Sequence, residues 1–361
     1  MAYPAAADIA ERFLARGSVV AVARYGGGLI NDTFLVETDD HAMPRFILQR
    51  ISREVFARPR QLMANLAILH AHISKEPGAS IRLQIPKIIT AGKALYFQDD
   101  DGGFWRALTF IDNSCTLQSL PDSGVAGQVG YALGHFHYLL RGLHPGLLHD
   151  TLPGFHCTPE YLRQYRQVLN RTDVGLRSGD EAFCVDSIAA NSNDAAVLED
   201  AREQGLLPLR VIHGDPKLDN FLFARDSGRV ISLIDLDTVK PGLSHYDIGD
   251  CLRSCCQRGA PVVFDVSLCR AILQGYLGEV GSFFSEQDYR YLYPAIRLLP
   301  YELGLRFFTD HLQGNRYFKV TRPRQNLQRA VAQFQLLQSI VSQEREIMET
   351  IEDLQQNQAG S

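Results

Sequence analysis

The sequence has no polybasic segment and no long apolar run. Its 36 lysines and arginines are outnumbered by 41 acidic residues, so the formal net charge is -5. Proteins that bind nucleic acid or an anionic membrane generally carry a basic patch, and we expect neither partner here. The apolar runs are shorter than the ~20 residues that span a membrane. Because Asp8, Glu11 and Arg12 stand where a signal peptide is apolar, we expect a cytoplasmic protein.

Cysteine is too scattered for a disulfide framework or a zinc site. The seven cysteines are an odd number spread over 361 residues, which favours a reducing compartment. Cys251, Cys255 and Cys256 form one local cluster, but no Cys-x-x-Cys pair and no histidine at zinc-finger spacing accompanies them. We expect these three to be buried structural thiols.

The first third of the chain has the pattern of strands around one helix. The predicted strands are rich in β-branched and aromatic residues and cover residues 19–25, 33–38, 45–51, 85–89, 94–98 and 105–111. The glycine turn Gly26-Gly27-Gly28 separates the first two strands. Apolar residues at helical spacing predict a helix over residues 62–73, after the third strand.

Helical spacing dominates from residue 115 onward. Val129, Leu133, Phe136 and Leu140 form one face of a predicted helix. The last amphipathic pattern predicts one long helix with apolar positions at Leu327, Val331, Phe334, Leu337, Val341, Met348 and Ile351. We expect this apolar stripe to pack on the protein, with a surface for a partner as the alternative.

These patterns predict an α+β fold with two lobes. A β-rich N-terminal lobe would span residues 1–111, and a mainly helical C-terminal lobe would span residues 112–361, with residues 109–113 as the hinge. A cleft between two lobes is a natural ligand site. We therefore expect the functional residues to meet there.

The candidate catalytic residues lie where two apolar strands each end in an acidic residue. One apolar run leads into a His-Gly-Asp segment that ends at Asp215, and Asn220 follows five positions later. The next apolar run leads into Asp235 and Asp237. A polar turn and a solvated strand end would explain each segment alone. Together they reproduce the order of a kinase catalytic loop and its metal-binding Asp.

Phosphoryl transfer to an alcohol fits these residue types. The reaction needs a base near the attacking hydroxyl and one or two Mg²⁺ ions held by oxygen ligands. We predict that Asp215 orients the hydroxyl and accepts its proton. Asn220 and Asp235 are predicted to hold Mg²⁺, and Asp237 is predicted to bind a second ion.

The His-Gly-Asp segment, Asn220 and Asp235 resemble the signature of the aminoglycoside phosphotransferase and choline kinase superfamily. In that superfamily His-Gly-Asp replaces the His-Arg-Asp of protein kinases. The resemblance extends over nearly the whole chain. It implies a protein-kinase-like fold, with ATP as co-substrate and Mg²⁺ as cofactor.

A narrower resemblance, to the N-acetylhexosamine 1-kinases, rests on residues 25–34, 46–51 and 234–238 and on short segments around Arg306, Asp310 and Tyr317. It implies transfer to the anomeric hydroxyl of N-acetylglucosamine or N-acetylgalactosamine, with the sugar 1-phosphate as product. A kinase for another small alcohol, of the choline, homoserine or aminoglycoside type, is the alternative.

The candidate acceptor pocket contains Arg306, Asp310, His311 and Tyr317. These side chains can hydrogen-bond sugar hydroxyls and an acetamide. Choline and aminoglycosides are cations and typically need acidic or aromatic-rich pockets, so a neutral acceptor fits better. The alternatives are an ion pair between Arg306 and Asp310, four residues apart, and simple packing for Tyr317.

The nucleotide is expected under the glycine turn. Gly26, Gly27 and Gly28 would let the backbone approach phosphates, with Asn31 as a further donor. The third strand ends in Gln49-Arg50, where protein kinases place a lysine that pairs with a glutamate on the next helix. Only one of the two side chains can face the cleft.

We favour Arg50 over Gln49 as the phosphate contact because its charge is permanent. The next helix offers Asn65 in place of the glutamate. Loss of that ion pair also allows a nucleotide-binding pseudokinase as an alternative. Asp247 and Asp250 are predicted to cap the following helix, and the histidines at positions 135, 137 and 144 are predicted to be structural.

Overall fold

The computed structural model describes residues 4–26, 30–77, 82–171 and 179–359. These residues form a β-rich N-terminal lobe followed by a mainly helical C-terminal lobe. The predicted fold class, a two-lobed protein-kinase-like fold, is confirmed. Gly27 and Gly28 of the predicted glycine turn lie outside the described residues.

The N-terminal lobe is built on an antiparallel sheet. Its strands are β1 (Val19–Arg24), β2 (Asp32–Thr38), β3 (Arg45–Ile51), β4 (Ile88–Ile89), β5 (Phe97–Gln98) and β6 (Phe104–Thr109). The order is β1-β2-β3-β6-β4, and β5 also pairs with β6. Helices α1 (Pro4–Glu11) and α2 (Pro59–Ile73) flank the sheet. The first three strands follow the prediction closely, and the last three are shorter than predicted.

Side-chain alternation on β3 decides which residues face the cleft. Phe46 and Leu48 are fully buried in a cluster with Phe13, just after α1, and with Trp105 of β6. Successive strand residues point to opposite faces of a sheet. Gln49 therefore points away from that cluster, and Arg50 lies on the cluster's side.

The C-terminal lobe contains helices and short strands. Its helices are α3 (Ser123–Leu140), α4 (Thr158–Arg171), α5 (Gly179–Asn191), α6 (Val197–Glu203), α7 (Ser244–Cys255), α8 (Val266–Val280), α9 (Glu286–Arg290), α10 (Leu292–Leu312), α11 (Gln325–Ser342) and α12 (Glu344–Ala359). Its strands are β7 (Ser114–Cys115), β8 (Arg210–Ile212), β9 (Phe221–Ala224), β10 (Val230–Leu233), β11 (Lys240–Gly242), β12 (Gln257–Arg258) and β13 (Val263–Phe264). Strand β8 pairs with β11, and β9 lies between β7 and β10.

Glycines let α3 and α8 approach closely. A Cβ atom on Gly130 would stand 1.9 Å from the carbonyl oxygen of Ile272, and one on Gly275 would stand 2.1 Å from that of Gly127. Real Cβ atoms essentially never come that close, so a side chain at either position would push the helices apart. The glycines thus keep α3 directly against α8.

The predicted long C-terminal helix is two helices. Helix α11 ends at Ser342 and α12 begins at Glu344, on either side of Gln343. Val341 and Met348, predicted to lie on the apolar face, are exposed, and Ile347 is buried instead. Both helices nevertheless bury apolar residues in the core, which confirms the prediction that this region packs on the protein.

The predicted burial of the cysteine cluster is confirmed. Cys251, Cys255 and Cys256 lie in the largest hydrophobic cluster of the described residues, which draws on both lobes. Burial raises the pKa of the Cys256 thiol well above its ordinary value. Over the ranges that the structure describes, no helix is long and apolar enough to cross a membrane.

Candidate active site

The predicted catalytic loop, residues 213–220 and called the catalytic loop from here on, begins where β8 ends and is held by Asp247 of α7. The backbone N–H groups of His213 and Gly214 donate to the two carboxylate oxygens of Asp247, at 2.6 and 2.8 Å. His137 of α3 lies 2.8 Å from the same carboxylate and hydrogen-bonds Tyr276 of α8 through its other ring nitrogen. The prediction that Asp247 caps its helix is wrong, because its carboxylate supports the loop.

Gly214 is required by the backbone of this loop. Its φ is +88°, in the left-handed region that side chains disfavour. A Cβ atom there would stand 2.6 Å from the carbonyl oxygen of Thr238. The turn thus projects the next residue, Asp215, away from the core.

Asp215 is half-buried and pairs with Lys217, two residues later. Burial alone would lower the pKa of Lys217, but the Asp215 and Asp235 carboxylates outweigh burial and raise it. Asn220 donates through Nδ2 to the Asp215 carbonyl oxygen at 2.7 Å. The structure thus brings Asp215, Asn220 and Asp235 together. Lys217 was missed in the sequence, although its place inside the catalytic segment was a usable signal.

Asp235 follows β10 in a left-handed conformation, with φ 65° and ψ 56°. Burial, together with the negative charges of Asp237 and Asp215, raises the pKa of its carboxyl to about 7. A buried cluster of like charges favours the neutral form of one member. A cation in the cleft would remove this conflict.

The oxygen donors present here fit Mg²⁺. Asn220 commits its amide nitrogen to the loop, so its Oδ1 is the end left for another partner. Among the described residues, no three His, Cys, Asp or Glu side chains converge into a preformed metal cage. Mg²⁺ commonly binds one or two carboxylates together with substrate phosphates and water, and Asn220 and Asp235 match that pattern.

Asp237 is bound to the N-terminal lobe. It forms an ion pair with Arg106 of β6, and both side chains are almost completely buried. Asn31 donates to Asp237 Oδ2 at 2.7 Å and accepts from the backbone of Ser52 at 3.0 Å. The Asn31 amide, predicted to contact nucleotide, is therefore engaged as a link between the lobes.

Gln49, not Arg50, is the residue of β3 that faces this link. Its Oε1 accepts from Arg106 Nε at 2.9 Å and Nη2 at 2.7 Å. Arg50 lies over the ring of Trp105 on the opposite face, 5.8 Å from the ring centroid. The preference for Arg50 is corrected, because alternation along β3 turns its side chain away from the cleft. Arg106, which no local pattern in the sequence indicated, is the buried cation here.

Asn65 joins α2 to the C-terminal lobe. Its Nδ2 donates to the carbonyl oxygens of His149 at 2.8 Å and Val239 at 3.1 Å, and its Oδ1 accepts from the His149 backbone at 2.9 Å. Neutral hydrogen bonds thus hold α2 in place where protein kinases use an ion pair.

Arg306 of α10 lies among aromatic rings, near enough to Asp215 for the two charges to interact. Its guanidinium carbon lies 4.9 to 6.0 Å from the ring centroids of Phe155, Tyr161, Tyr317 and Phe318. Its nearest carboxylate is Glu302, at 3.8 Å. Burial lowers the pKa of Arg306, but Tyr161, Glu302, Tyr317 and Asp215 outweigh burial and raise it. We call Arg306 and these four rings the arginine cage.

Asp310 supports the cage from behind. Its carboxylate accepts from the backbone N–H groups of Arg316, Tyr317 and Phe318 at 2.8 to 2.9 Å, and from Asn326 at 2.9 Å. The prediction that Asp310 binds the acceptor is corrected, because its oxygens hold the loop. The ion pair between Arg306 and Asp310 considered from the sequence is replaced by the one with Glu302. Tyr317 is 56% exposed and open to a ligand.

Arg106→Leu is expected to destabilise the protein by about 3–5 kcal/mol, because the buried Asp237 carboxylate would lose its cation. Urea unfolding at pH 7, without divalent cations, measures the change. Arg345→Leu is the control. Arg345 is 91% exposed in its pair with Glu349, and its loss is expected to cost less than about 1 kcal/mol. Equal effects of the two variants would contradict this assignment.

Comparison with known proteins agrees with the fold described above. The fold is similar to an aminoglycoside phosphotransferase from Alicyclobacillus acidocaldarius (18% identity, 95% of this chain and 96% of that chain, TM-score 0.66). It is also similar to a choline kinase from Cryptosporidium parvum (14%, 91% and 90%, 0.60). A third similar structure is the GDP complex of aminoglycoside 2'-phosphotransferase-IIIa (15%, 94% and 94%, 0.54). Residues 21–282 match the phosphotransferase enzyme family, and the chain belongs to that family.

Proposed function

We propose that this phosphotransferase transfers the terminal phosphoryl group of Mg-ATP to the anomeric hydroxyl of an N-acetylhexosamine. The observation that carries the proposal is the arginine cage near Asp215. It supports an acceptor that has both hydrogen-bonding groups and an apolar ring face.

The residues of the catalytic loop are assigned the following roles. Asp215 accepts a hydrogen bond from the attacking hydroxyl and takes its proton as the bond to phosphorus forms. Lys217, paired with Asp215, balances the charge of that carboxylate. Asn220 and Asp235 would hold Mg²⁺, which neutralises phosphate charge when it is bound. Asp237 is proposed as a further ligand.

Arg106 is proposed to balance the negative charge of the carboxylates that would hold Mg²⁺. It is buried in its ion pair with Asp237, and its charge lowers the pKa of Asp235 against the stronger opposing effects. Gly26 (φ 72°) has open space around it and is proposed, with Gly27 and Gly28, to approach the phosphates. One of the similar proteins was solved with GDP bound, which supports a nucleotide co-substrate here. GTP should therefore be tested beside ATP.

The charge of the cage supports a neutral acceptor. A guanidinium among four rings disfavours binding of a quaternary ammonium or an aminoglycoside, because like charges repel in a partly desolvated pocket. A sugar can place its C–H face on a ring while its hydroxyl or acetamide oxygens accept from Arg306. The positive charge of the cage therefore favours an N-acetylhexosamine over choline or an aminoglycoside as the acceptor.

Arg306→Gln is expected to raise the KM for N-acetylglucosamine about 10- to 100-fold, because a charged hydrogen-bond donor is lost. The KM for ATP should change less than about twofold. Initial-rate measurements with each substrate varied provide the check. Arg316→Gln serves as the control, because Arg316 is an exposed residue of the same loop. An unchanged acceptor KM in Arg306→Gln would remove Arg306 from the pocket.

The function is tested by Mg²⁺-dependent release of ADP or GDP with a panel of acceptors. The panel contains N-acetylglucosamine, N-acetylgalactosamine, glucose, galactose, choline and an aminoglycoside. The proposal predicts turnover with the N-acetylated sugars. Turnover with choline or the aminoglycoside alone would reject the acceptor, and nucleotide binding without turnover for any acceptor would favour a pseudokinase.

A further inference from the structure

His156 is a buried histidine that contacts the backbone of the catalytic loop. It is 3% exposed and precedes α4. Its Nδ1 is 3.0 Å from a carboxylate oxygen of Glu302, and its Nε2 is 2.8 Å from the carbonyl oxygen of Gly214. Both ring nitrogens therefore have partners within hydrogen-bonding distance.

Those partners determine the charge of the ring. A backbone carbonyl oxygen can only accept a hydrogen bond, and so can an ionised carboxylate. The second Glu302 oxygen accepts from the Thr158 hydroxyl at 2.8 Å, which stabilises the ionised form of Glu302. For both contacts of His156 to be hydrogen bonds, both ring nitrogens must carry protons. His156 is then an imidazolium cation.

The charged groups around His156 agree with this assignment. Burial alone would lower the pKa of His156, but attraction to Glu302 and to Asp250 outweighs burial and raises it. Burial likewise raises the pKa of Glu302, but His156 and Arg306 outweigh burial and lower it. Glu302 of α10 pairs with the ring, Tyr246 of α7 stacks on it, and the charge of Asp250 of α7 acts on it. Arg306 pairs with Glu302, and Glu199 of α6 accepts from the Tyr246 hydroxyl.

The cation fixes the peptide unit that carries the proposed base. Asp247 holds the N–H of Gly214 at 2.8 Å, and His156 holds its C=O at 2.8 Å. Gly214 has a φ of +88°, and because glycine has no side chain, its own sterics do not hold the backbone there. These two hydrogen bonds, together with the one that the Asp215 N–H donates to His213 Nδ1 at 3.3 Å, set the direction in which the chain enters Asp215.

We propose that His156, kept as an imidazolium by Glu302, is a positioning residue that locks the Gly214–Asp215 peptide so that Asp215 faces the acceptor, and that loss of its proton releases the loop. Glu302 also lies 3.8 Å from Arg306, so one carboxylate connects the loop with the arginine cage. The kinetic part of this inference rests on the proposed function. The charge state of the ring and the order of the loop do not.

The kinetic test is the pH dependence of kcat in His156→Gln. Losing a charged hydrogen bond is expected to lower kcat about 10- to 100-fold at pH 7, with little change in the KM for ATP. The raised pKa of His156 means that the wild-type charge is present at pH 6.5 and is lost as the pH rises through the folded-state pKa. Wild-type kcat should fall in that alkaline range, and His156→Gln should lack this fall.

Two further variants complete the kinetic test. Glu302→Gln should move the alkaline fall of kcat to lower pH, because the imidazolium loses its counter-charge. His149→Gln, at an exposed position seven residues earlier, should keep the wild-type profile. A His156→Gln enzyme with the wild-type kcat and an unchanged alkaline fall would overturn the proposal.

Two measurements on the full chain need no acceptor. Nitrogen-15 NMR of the imidazole rings at pH 6.5, assigned by the signals missing in His156→Gln, should show two protonated nitrogens on His156. A ring with one protonated nitrogen would overturn the charge assignment. Hydrogen exchange of the segment 213–217 should be faster in His156→Gln than in wild type, and equal exchange would overturn the positioning role. If both results are as expected but no sugar is phosphorylated, the acceptor proposal fails and this one stands.

Discussion

Asp215→Asn is expected to lower kcat about 10²- to 10⁴-fold, the range that a general base supplies. The amide keeps the size of the side chain but cannot take the hydroxyl proton. Its pairing with Lys217 is lost as well, but the backbone of the loop is still held by Asp247. Nucleotide affinity, measured by calorimetry with Mg²⁺ present, should change only a few-fold. Transfer is followed by nucleoside diphosphate release.

The matched control for this substitution is Asp219→Asn. Asp219 lies four residues later in the same loop and is exposed, so both kcat and affinity should stay at the wild-type values. An Asp215→Asn protein with undiminished kcat would reject the assigned mechanism. Equal losses in the two variants would instead point to a general disturbance of the loop.

Asp235→Asn is expected to weaken nucleotide binding at least about 100-fold when Mg²⁺ is present. Changing even an indirect partner of a metal ligand typically costs 10- to 100-fold in metal affinity, and Asp235 is proposed as a direct ligand. Without Mg²⁺ the affinity should be unchanged or slightly higher, because a negative charge is removed from beside the phosphates. Titration with and without the metal measures the difference.

The control for Asp235→Asn is Asp226→Asn, in the exposed connection between β9 and β10. It should bind nucleotide as wild type does in both conditions. The metal assignment would be contradicted if Asp235→Asn lost the same affinity with and without Mg²⁺. That result would mean that Asp235 supports the fold of the cleft and not the cation.

Local sequence patterns predicted which residues meet in the catalytic loop. A strand that delivers a His-Gly-Asp segment, an Asn five residues later and a second strand that delivers Asp235 are all short-range features, and the structure assembles them in one place. The first three strands were also predictable, because their β-forming residues and their turns lie next to one another in the chain.

The supports of the site could not be predicted in this way. The contacts made by Arg106, Asp247 and His156 join residues 131, 34 and 58 positions apart. No local spacing encodes such contacts. Gln49 and Arg50 illustrate a related limit. Apolar residues occur on both faces of β3, so alternation alone did not show which face packs against α1. In the structure the face with Phe46 and Leu48 does.

The break between the last two helices could not be predicted from the apolar pattern. Apolar positions continued from Leu327 to Ile351 without a proline or glycine to indicate a break. The break at Gln343 coincides with a contact to another element, because the Gln343 amide donates to the carbonyl oxygen of Phe264 on β13 at 3.0 Å. Tertiary contacts of this kind override local helical preference.

Phosphorus NMR of the reaction mixture tests the central claim most directly. The wild-type protein and the Asp215→Asn variant are each incubated with Mg-ATP and N-acetylglucosamine, and the products of the two reactions are compared. We expect ADP and a sugar phosphomonoester to form in equal amounts with the wild type and not with the variant. The new phosphorus signal should couple to the anomeric proton and should disappear after mild acid treatment. A mixture in which ATP is unchanged, or yields inorganic phosphate with no sugar phosphate, would contradict the central claim.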